Sequence, residues 1–154
     1  MQNKRFVIRE FQADDQAPAQ ELILAGLREH WGDAFDPAQN PDLDDIAATY
    51  AAGVFLIAFS GVRLVGTGAL IPENQTVARI LRMSVAADLR RQGLGSQLLQ
   101  ALCDQARERG YSEIILETTS TWEGVKAFYL DFGFSVVGEW GGDTHFEWGL
   151  ELRD

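Results

Sequence analysis

Apolar positions recur along this chain with two periods, one near two and one near 3.6, and their order lays out the elements. Phe6 and Ile8 alternate with Arg5 and Arg9, which predicts a first strand over Lys4 to Phe11. Asp14 or Asp15 can cap a helix running to about Arg28 with Leu22, Ile23 and Leu27 as its stripe, and His30-Trp31-Gly32 ends it. Asp33 to Pro41, with two prolines and no periodicity, reads as a loop; Asp42 to Ala52 reads as a second helix closed by Gly53. Val54 to Phe59, a Ser60-Gly61 turn and Val62 to Ile71 predict a hairpin, and Pro72-Glu73-Asn74 turns the chain toward a strand ending at Val85. Gly66 and Gly68 flank Thr67 inside a strand, the mark of a bulge or a close backbone approach. Leu94, Leu98, Leu102 and Ala106, widened by Leu99 and Ala101, form one face of a long helix, and Gly110 stands where its C-terminal cap is expected. A buried strand, Glu113 to Glu117, and a helix carrying Tyr129 follow. Phe134 to Val137, a Gly141-Gly142-Asp143 turn and the alternating Phe146, Trp148, Leu150 and Leu152 predict a closing hairpin. The order implies an α/β fold: a mixed sheet of six or seven strands, helices on both faces, and a parallel strand–helix–strand unit over Ile80 to Leu116.

Composition narrows the class. With 154 residues, 46% of them apolar, the chain can bury about two-thirds of its unfolded surface, enough for one domain over residues 1–154. The single cysteine, Cys103, cannot form an internal disulfide and falls mid-helix as a small hydrophobe, which suits a reducing compartment. No apolar run follows Lys4 and Arg5, and Val54 to Phe59 is far short of a membrane span, so a soluble cytoplasmic protein is expected. Thirteen basic against 23 acidic residues argue against a nucleic-acid partner. The balance is nonetheless uneven. Arg79 to Gln100 holds four arginines and one acid, whereas Glu10 to Asp45 holds ten acids and only Arg28, a surplus that a solvated face ordinarily explains. His30 and His145 have no cysteine or paired carboxylate at ligand spacing, so no metal is expected.

The cationic stretch carries the chemistry. Gly93 and Gly95 leave no side chain before the first turn of the long helix, whose free N–H groups and dipole both favour an anion. A P-loop would need Lys and Ser or Thr where Ser96-Gln97 stand, and a dinucleotide fingerprint would need a third glycine at Leu98. What remains is Arg90-Arg91-Gln92-Gly93-Leu94-Gly95 after a strand ending in Met83-Ser84-Val85. This closely resembles the pyrophosphate loop of the GNAT superfamily, the acyl-CoA-dependent N-acyltransferases. Ala127 to Phe134, a helix bearing Tyr129 that ends in Gly133-Phe134, resembles that family's second marker. The likeness covers Leu64 to Leu152 by motif and the first sixty residues by order of elements.

The resemblance implies a GNAT-like fold and acetyl-CoA as co-substrate. Its pantetheine arm would pair with Met83, Ser84 and Val85, and its pyrophosphate would sit on the loop formed by Arg90, Arg91, Gln92, Gly93, Leu94, Gly95 and Ser96. The Val85 N–H would face the thioester carbonyl and Tyr129 would protonate the departing thiolate. Glu73 and Glu117 are the candidates for general base, with a water-mediated route beside them. Seven residues before the tyrosine, where many relatives carry an asparagine on the pantetheine, stands Trp122. The expected activity is N-acetyl transfer by direct attack in a ternary complex, and the alternative is an acyl-CoA-binding regulatory module without turnover. In this family the first helix pair walls the acceptor side, and here its carboxylates would draw a cation: a small-molecule amine or a peptide amine. A homodimer is compatible with all of this.

Overall fold

A computed structural model describes residues 6–150. One seven-stranded sheet carries the chain, built from β1 (Val7–Glu10), β2 (Val54–Ser60), β3 (Arg63–Pro72), β4 (Val77–Val85), β5 (Glu113–Thr119), β6 (Ser135–Trp140) and β7 (Asp143–Gly149). Its spatial order is β1-β2-β3-β4-β5-β7-β6, antiparallel throughout except for the parallel β4–β5 pair. The helices are α1 (Gln16–Trp31), α2 (Ile46–Thr49), α3 (Leu94–Glu108) and α4 (Glu123–Phe132). The expected start of the first strand at Lys4 and Arg5 and the last apolar position at Leu152 lie outside the described residues.

Two cores, one on each face, explain why β2 reads as a continuous apolar run. Val54, Leu56 and Ala58 pack with Leu98, Leu99 and Leu102 of α3, while Phe55 and Ile57 pack with Ile23 of α1 and Ile46 of α2. A strand buried on both sides has no polar face to alternate with. The α3 stripe is buried as its spacing predicts, through Leu94, Leu98, Leu102 and Ala106. Cys103 is buried beside it, and burial pushes its thiol up to about 12, so it serves as packing. No helix among the described residues is long and apolar enough to cross a membrane.

The second helix differs from expectation. Instead of one helix over Asp42 to Ala52, a 3-10 turn spans Pro41–Asp44 and α2 holds only four residues, Ile46–Thr49. The Asp45 carboxylate accepts from the Ala48 N–H at 3.2 Å and so starts a new helix in the middle of the predicted one. The closing hairpin turns on Gly141 (φ 64) and Gly142 (φ 82), the double positive φ that a two-residue loop requires.

Gly53, just after α2, permits the closest approach in the fold. A Cβ there would lie 2.0 Å from the carbonyl oxygen of Leu70, a backbone atom that cannot swing aside. Gly53→Ala should therefore lower the unfolding free energy by about 2–3 kcal/mol. Gly26→Ala, whose Cβ meets nothing within 4 Å inside α1, should hold or raise it. Urea titrations of the two variants check the contrast.

Candidate active site

The sheet parts at its centre. β4 and β5 pair only at Val77 with Glu113, Ala78 with Ile114 and Arg79 with Ile115. Beyond that, β4 stays with β3 as far as Val85 opposite Gly66, and β5 stays with β7 as far as Thr119 opposite Asp143. A cavity of about 1220 Å³ opens between them.

An extra residue in β4 accompanies the parting. Between the pairs Thr67–Ser84 and Ala69–Leu81, Gly68 alone faces both Arg82 and Met83. This is the irregularity that Gly66 and Gly68 foretold, with the extra residue on the partner strand. A Cβ on Gly68 would fall 2.8 Å from the Met83 sulfur and 2.9 Å from a Leu102 methyl. Arg82 takes the left-handed conformation, φ 56, that non-glycine residues avoid. Past the bulge, the Ala86 N–H donates to the Val65 carbonyl at 2.8 Å. Antiparallel alternation then turns the Val85 N–H away from β3 and into the gap.

The first turn of α3 forms one end of the cavity. Gly93 enters in the left-handed region (φ 87, ψ −1) and no side chain caps the helix, so the leading amides stay free. Gly95 has its Cα against Phe128 of α4, with room for a Cβ only 3.3 Å from that ring. Arg90 donates to both oxygens of Glu29 on α1, at 2.5 and 2.9 Å. Arg91, also left-handed at φ 63, has no ion pair among the described residues. Of the residues expected in this loop and strand, Met83, Ser84, Val85, Arg90, Arg91, Gly93, Gly95 and Ser96 line the cavity. Leu94 is core, and the Gln92 side chain turns back to the Asp88 carbonyl at 3.4 Å.

Tyr129 lies across the gap on α4. Its ring is buried among Phe128, Phe134 and Phe146 at centroid distances of 5.1, 5.8 and 5.8 Å. No hydrogen bond reaches its hydroxyl, and no buried side-chain oxygen among the described residues lacks a partner, so the phenol oxygen opens on the cavity it lines. Burial raises its pKa well above the ordinary tyrosine value.

The two candidate bases share one partner. Arg79 holds Glu73 at 2.8 Å and also Glu117. Glu117 lines the cavity and Glu73 does not, and the hydrogen bond from Arg79 holds the Glu73 carboxyl below its usual pKa. Trp122 meets the protein rather than standing free: it stacks on His30 of α1 at 4.2 Å and leans on Trp31 at 5.6 Å, bridging the ends of α1 and α4. Among the described residues no group of His, Cys, Asp or Glu is placed to hold a metal ion.

At least five of the ten acids from Glu10 to Asp45 have partners within the fold. Asp15 binds Arg9, Glu29 binds Arg90, Asp42 binds Arg82, and Asp36 and Asp45 cap short turns. Only Glu29 and Asp42 of this run reach the cavity wall, each already paired with an arginine. The expected cation-drawing wall of the first helices is thus mostly neutralised where it meets the cavity. Sequence reasoning missed these pairs, because nothing local marks a contact across forty residues. It also missed Asp143, a cavity-lining carboxylate with no ion pair among the described residues.

A sequence model of the acetyltransferase (GNAT) family matches residues 19–134. The chain belongs to the GNAT family. N-acetyltransferase 8F1 of Rattus norvegicus is 31% identical over 124 residues, which are 76% of this chain and 55% of that protein. The chain therefore spans about half the length of the curated relatives it matches. A GNAT acetyltransferase from Staphylococcus aureus Mu50 superposes with a TM-score of 0.87 at 22% identity, covering 96% of this chain and all 100% of the other. The PaiA N-acetyltransferase of Thermoplasma acidophilum, solved in complex with coenzyme A, gives 0.84 at 18% identity over 94% and 99%. At such identities the likeness is one of fold.

Asp42 offers a test of the wall. Desolvation raises its pKa, but the bonds from Arg82 and Tyr50 outweigh that and hold it below the ordinary 3.8. A carboxyl depressed in the native state contributes stability that is present above the unfolded pKa and lost as pH falls through the native one. Asp42→Asn should therefore unfold at lower urea than the parent at pH 6, and the gap should narrow below pH 3.8 and close as Asp42 protonates. Paired urea midpoints across this range check it.

Proposed function

We propose that this chain transfers the acetyl group of acetyl-CoA to a primary amine by direct attack in a ternary complex. The observation that carries the reading is the parted β4–β5 pair, with the Val85 N–H turned into the gap and the uncapped first turn of α3 at its end. The amides of Arg91 to Ser96 would take the pyrophosphate, and Arg91 brings a cation not committed to another side chain among the described residues. Pantetheine would lie along Met83 to Val85 as an added strand, satisfying the backbone groups β5 leaves behind.

The amine nitrogen attacks the thioester carbon, the carbonyl oxygen gathers charge against the Val85 N–H, and the C–S bond breaks. Tyr129 gives its proton to the departing thiolate, and the proton that the acylated nitrogen sheds returns through cavity water to the phenolate. Burial makes the phenol a weaker acid, so it keeps its proton until charge develops on the leaving sulfur. A lysine-like amine is mostly protonated at pH 7, a penalty of about 4–5 kcal/mol. Glu117, which lines the cavity as Glu73 does not, is the carboxylate through which that proton leaves, directly or by a water, with Arg79 holding both. Asp143 is the carboxylate we assign to meeting the acceptor's positive charge.

Acetyl-CoA-dependent release of CoA over a panel of primary amines tests the activity. A panel with no release, alongside acetyl-CoA binding, would favour a regulatory acyl-CoA-binding module instead. Acetyl-CoA should raise the melting temperature, in line with about 2.7 kcal/mol at a hundredfold excess over its Kd. Gly93→Glu, which sets a carboxylate before the first turn of α3, should abolish that shift while the apo protein still melts cooperatively. Tyr129→Phe should lower kcat by about a hundredfold or more and leave acetyl-CoA affinity nearly intact. Loss of fold with full specific activity in the surviving fraction would reassign the ring to the core.

A further inference from the structure

Arg82 is held from both ends. Its carbonyl accepts from the Thr67 hydroxyl at 2.8 Å, and Thr67 is fully buried in β3 directly beside the bulge. Its guanidinium forks onto Asp42, with Nε at 2.9 Å from Oδ2 and Nη2 at 2.7 Å from Oδ1, and Nη2 also reaches the Asn40 side chain at 3.1 Å. Asp42 accepts in addition from the Tyr50 hydroxyl at 2.6 Å. So the one left-handed residue of β4 is anchored through its carbonyl to the neighbouring strand, and through its side chain to the wall formed by the 3-10 turn at Pro41–Asp44 and the end of α2. Asp42, Tyr50 and Arg82 all line the cavity.

A non-glycine residue persists in this conformation only where its surroundings over-determine it. The residue that follows the strain is Met83, and the donor turned into the gap is Val85. If the fork onto Asp42 were released, the Thr67 hydroxyl would be the one side chain left holding the bulge beside the β3–β4 pairs that flank it, and the aim of the Met83–Val85 backbone would loosen. A misplacement of even about 1 Å at such a donor can cost about a hundredfold in rate.

We propose that Arg82 is a positioning residue for acetyl transfer: its fork onto Asp42, supported by Tyr50 and Asn40, fixes the β4 bulge and so sets the aim of the backbone donors against the thioester carbonyl. The proposal rests on the acetyl-transfer reading above and adds the residues that keep its geometry. It also joins the acceptor's wall to the strand that holds the donor, so that a change at Asp42 is felt at Val85.

Arg82→Gly is the informative variant, because glycine occupies the left-handed region without strain and the fold does not need the arginine to form the bulge. It should melt cooperatively, bind acetyl-CoA within about threefold of the parent, and lose at least tenfold in kcat. Arg82→Lys, which keeps the charge but not the planar fork, should recover only part of that loss. Asp42→Asn should lower kcat on its own and add little to Arg82→Gly, since both break one link. Amide hydrogen exchange of the Arg82→Gly protein should quicken over Ser84 to Ala86 and nowhere else in β4. A folded Arg82→Gly protein with kcat within twofold of the parent, additive losses in the double variant, or unchanged exchange at Ser84–Ala86 would overturn the proposal. Absence of turnover in the parent across the amine panel would instead overturn the enzyme reading, and this positioning role with it.

Discussion

Everything at the centre of this molecule depends on one extra residue in β4. Arg82 and Met83 together oppose Gly68 just past the three paired residues that β4 shares with β5, and backbone groups that a sheet would have satisfied are left to face a cavity. The left-handed backbone at Arg82 costs about 1–2 kcal/mol. Charge-assisted hydrogen bonds contribute about 1.5–3 kcal/mol each, so the fork onto Asp42, whose arginine side chain is only 19% exposed, is enough to offset that cost. The absent side chain at Gly68 matters too, since the Met83 sulfur and a Leu102 methyl fill the space a Cβ would need.

The two faces of the sheet then divide the work. On one, α3 is fixed to β2 and β3 by a leucine stripe, and its first turn is brought to the end of the gap by the left-handed Gly93. On the same face α4 packs Phe128 onto Gly95, which ties the tyrosine helix to the first turn of α3. On the other face α1 and the short turns before β2 build the opposite wall. Its last turn reaches back across the cavity twice, through Glu29 to Arg90 and through His30 to Trp122. An elementary packing rule, apolar faces on both sides of a central sheet, thus brings three helix ends to one place.

Sequence reading fared well where the signal is local or periodic. The α3 stripe, the Val54–Phe59 strand, the Gly141-Gly142 turn and the irregularity at Gly66 and Gly68 each rest on neighbours within a few residues, and each is found. The stretch from Asp42 to Ala52 was misread because its aspartates act on the backbone. Asp45 caps a new four-residue helix, and a carboxylate that bonds a nearby N–H competes with helix propagation. At the site, the uncapped start of α3 was legible because its left-handed entry at Gly93 favours glycine. The partners of the charged side chains were not: Asp42 meets Arg82 from 40 positions away, Glu29 meets Arg90 from 61, and only the folded topology chooses such pairs.

That pairing alters how the charge of the protein should be understood. A net charge of −10 suggests an acidic surface with a basic patch, yet much of the acid in the first 45 residues is bound to specific cations or to helix caps. The ion-paired carboxylates among them contribute little far field, because their partner's charge cancels theirs within a few ångströms, and salt screens the remainder beyond about 8–10 Å. What shapes the potential inside the cavity is the residue of unmatched groups. Arg91 and the free amides of α3 make one end positive, while Asp143, at the start of β7 beside the end of β5, makes another part negative. Field lines in a low-dielectric slot run between such poles, so the gap is polarised along its length by few groups. The polarity follows from where the sheet parts, because that parting sets the α3 amides and the β5–β7 end on opposite sides of one opening.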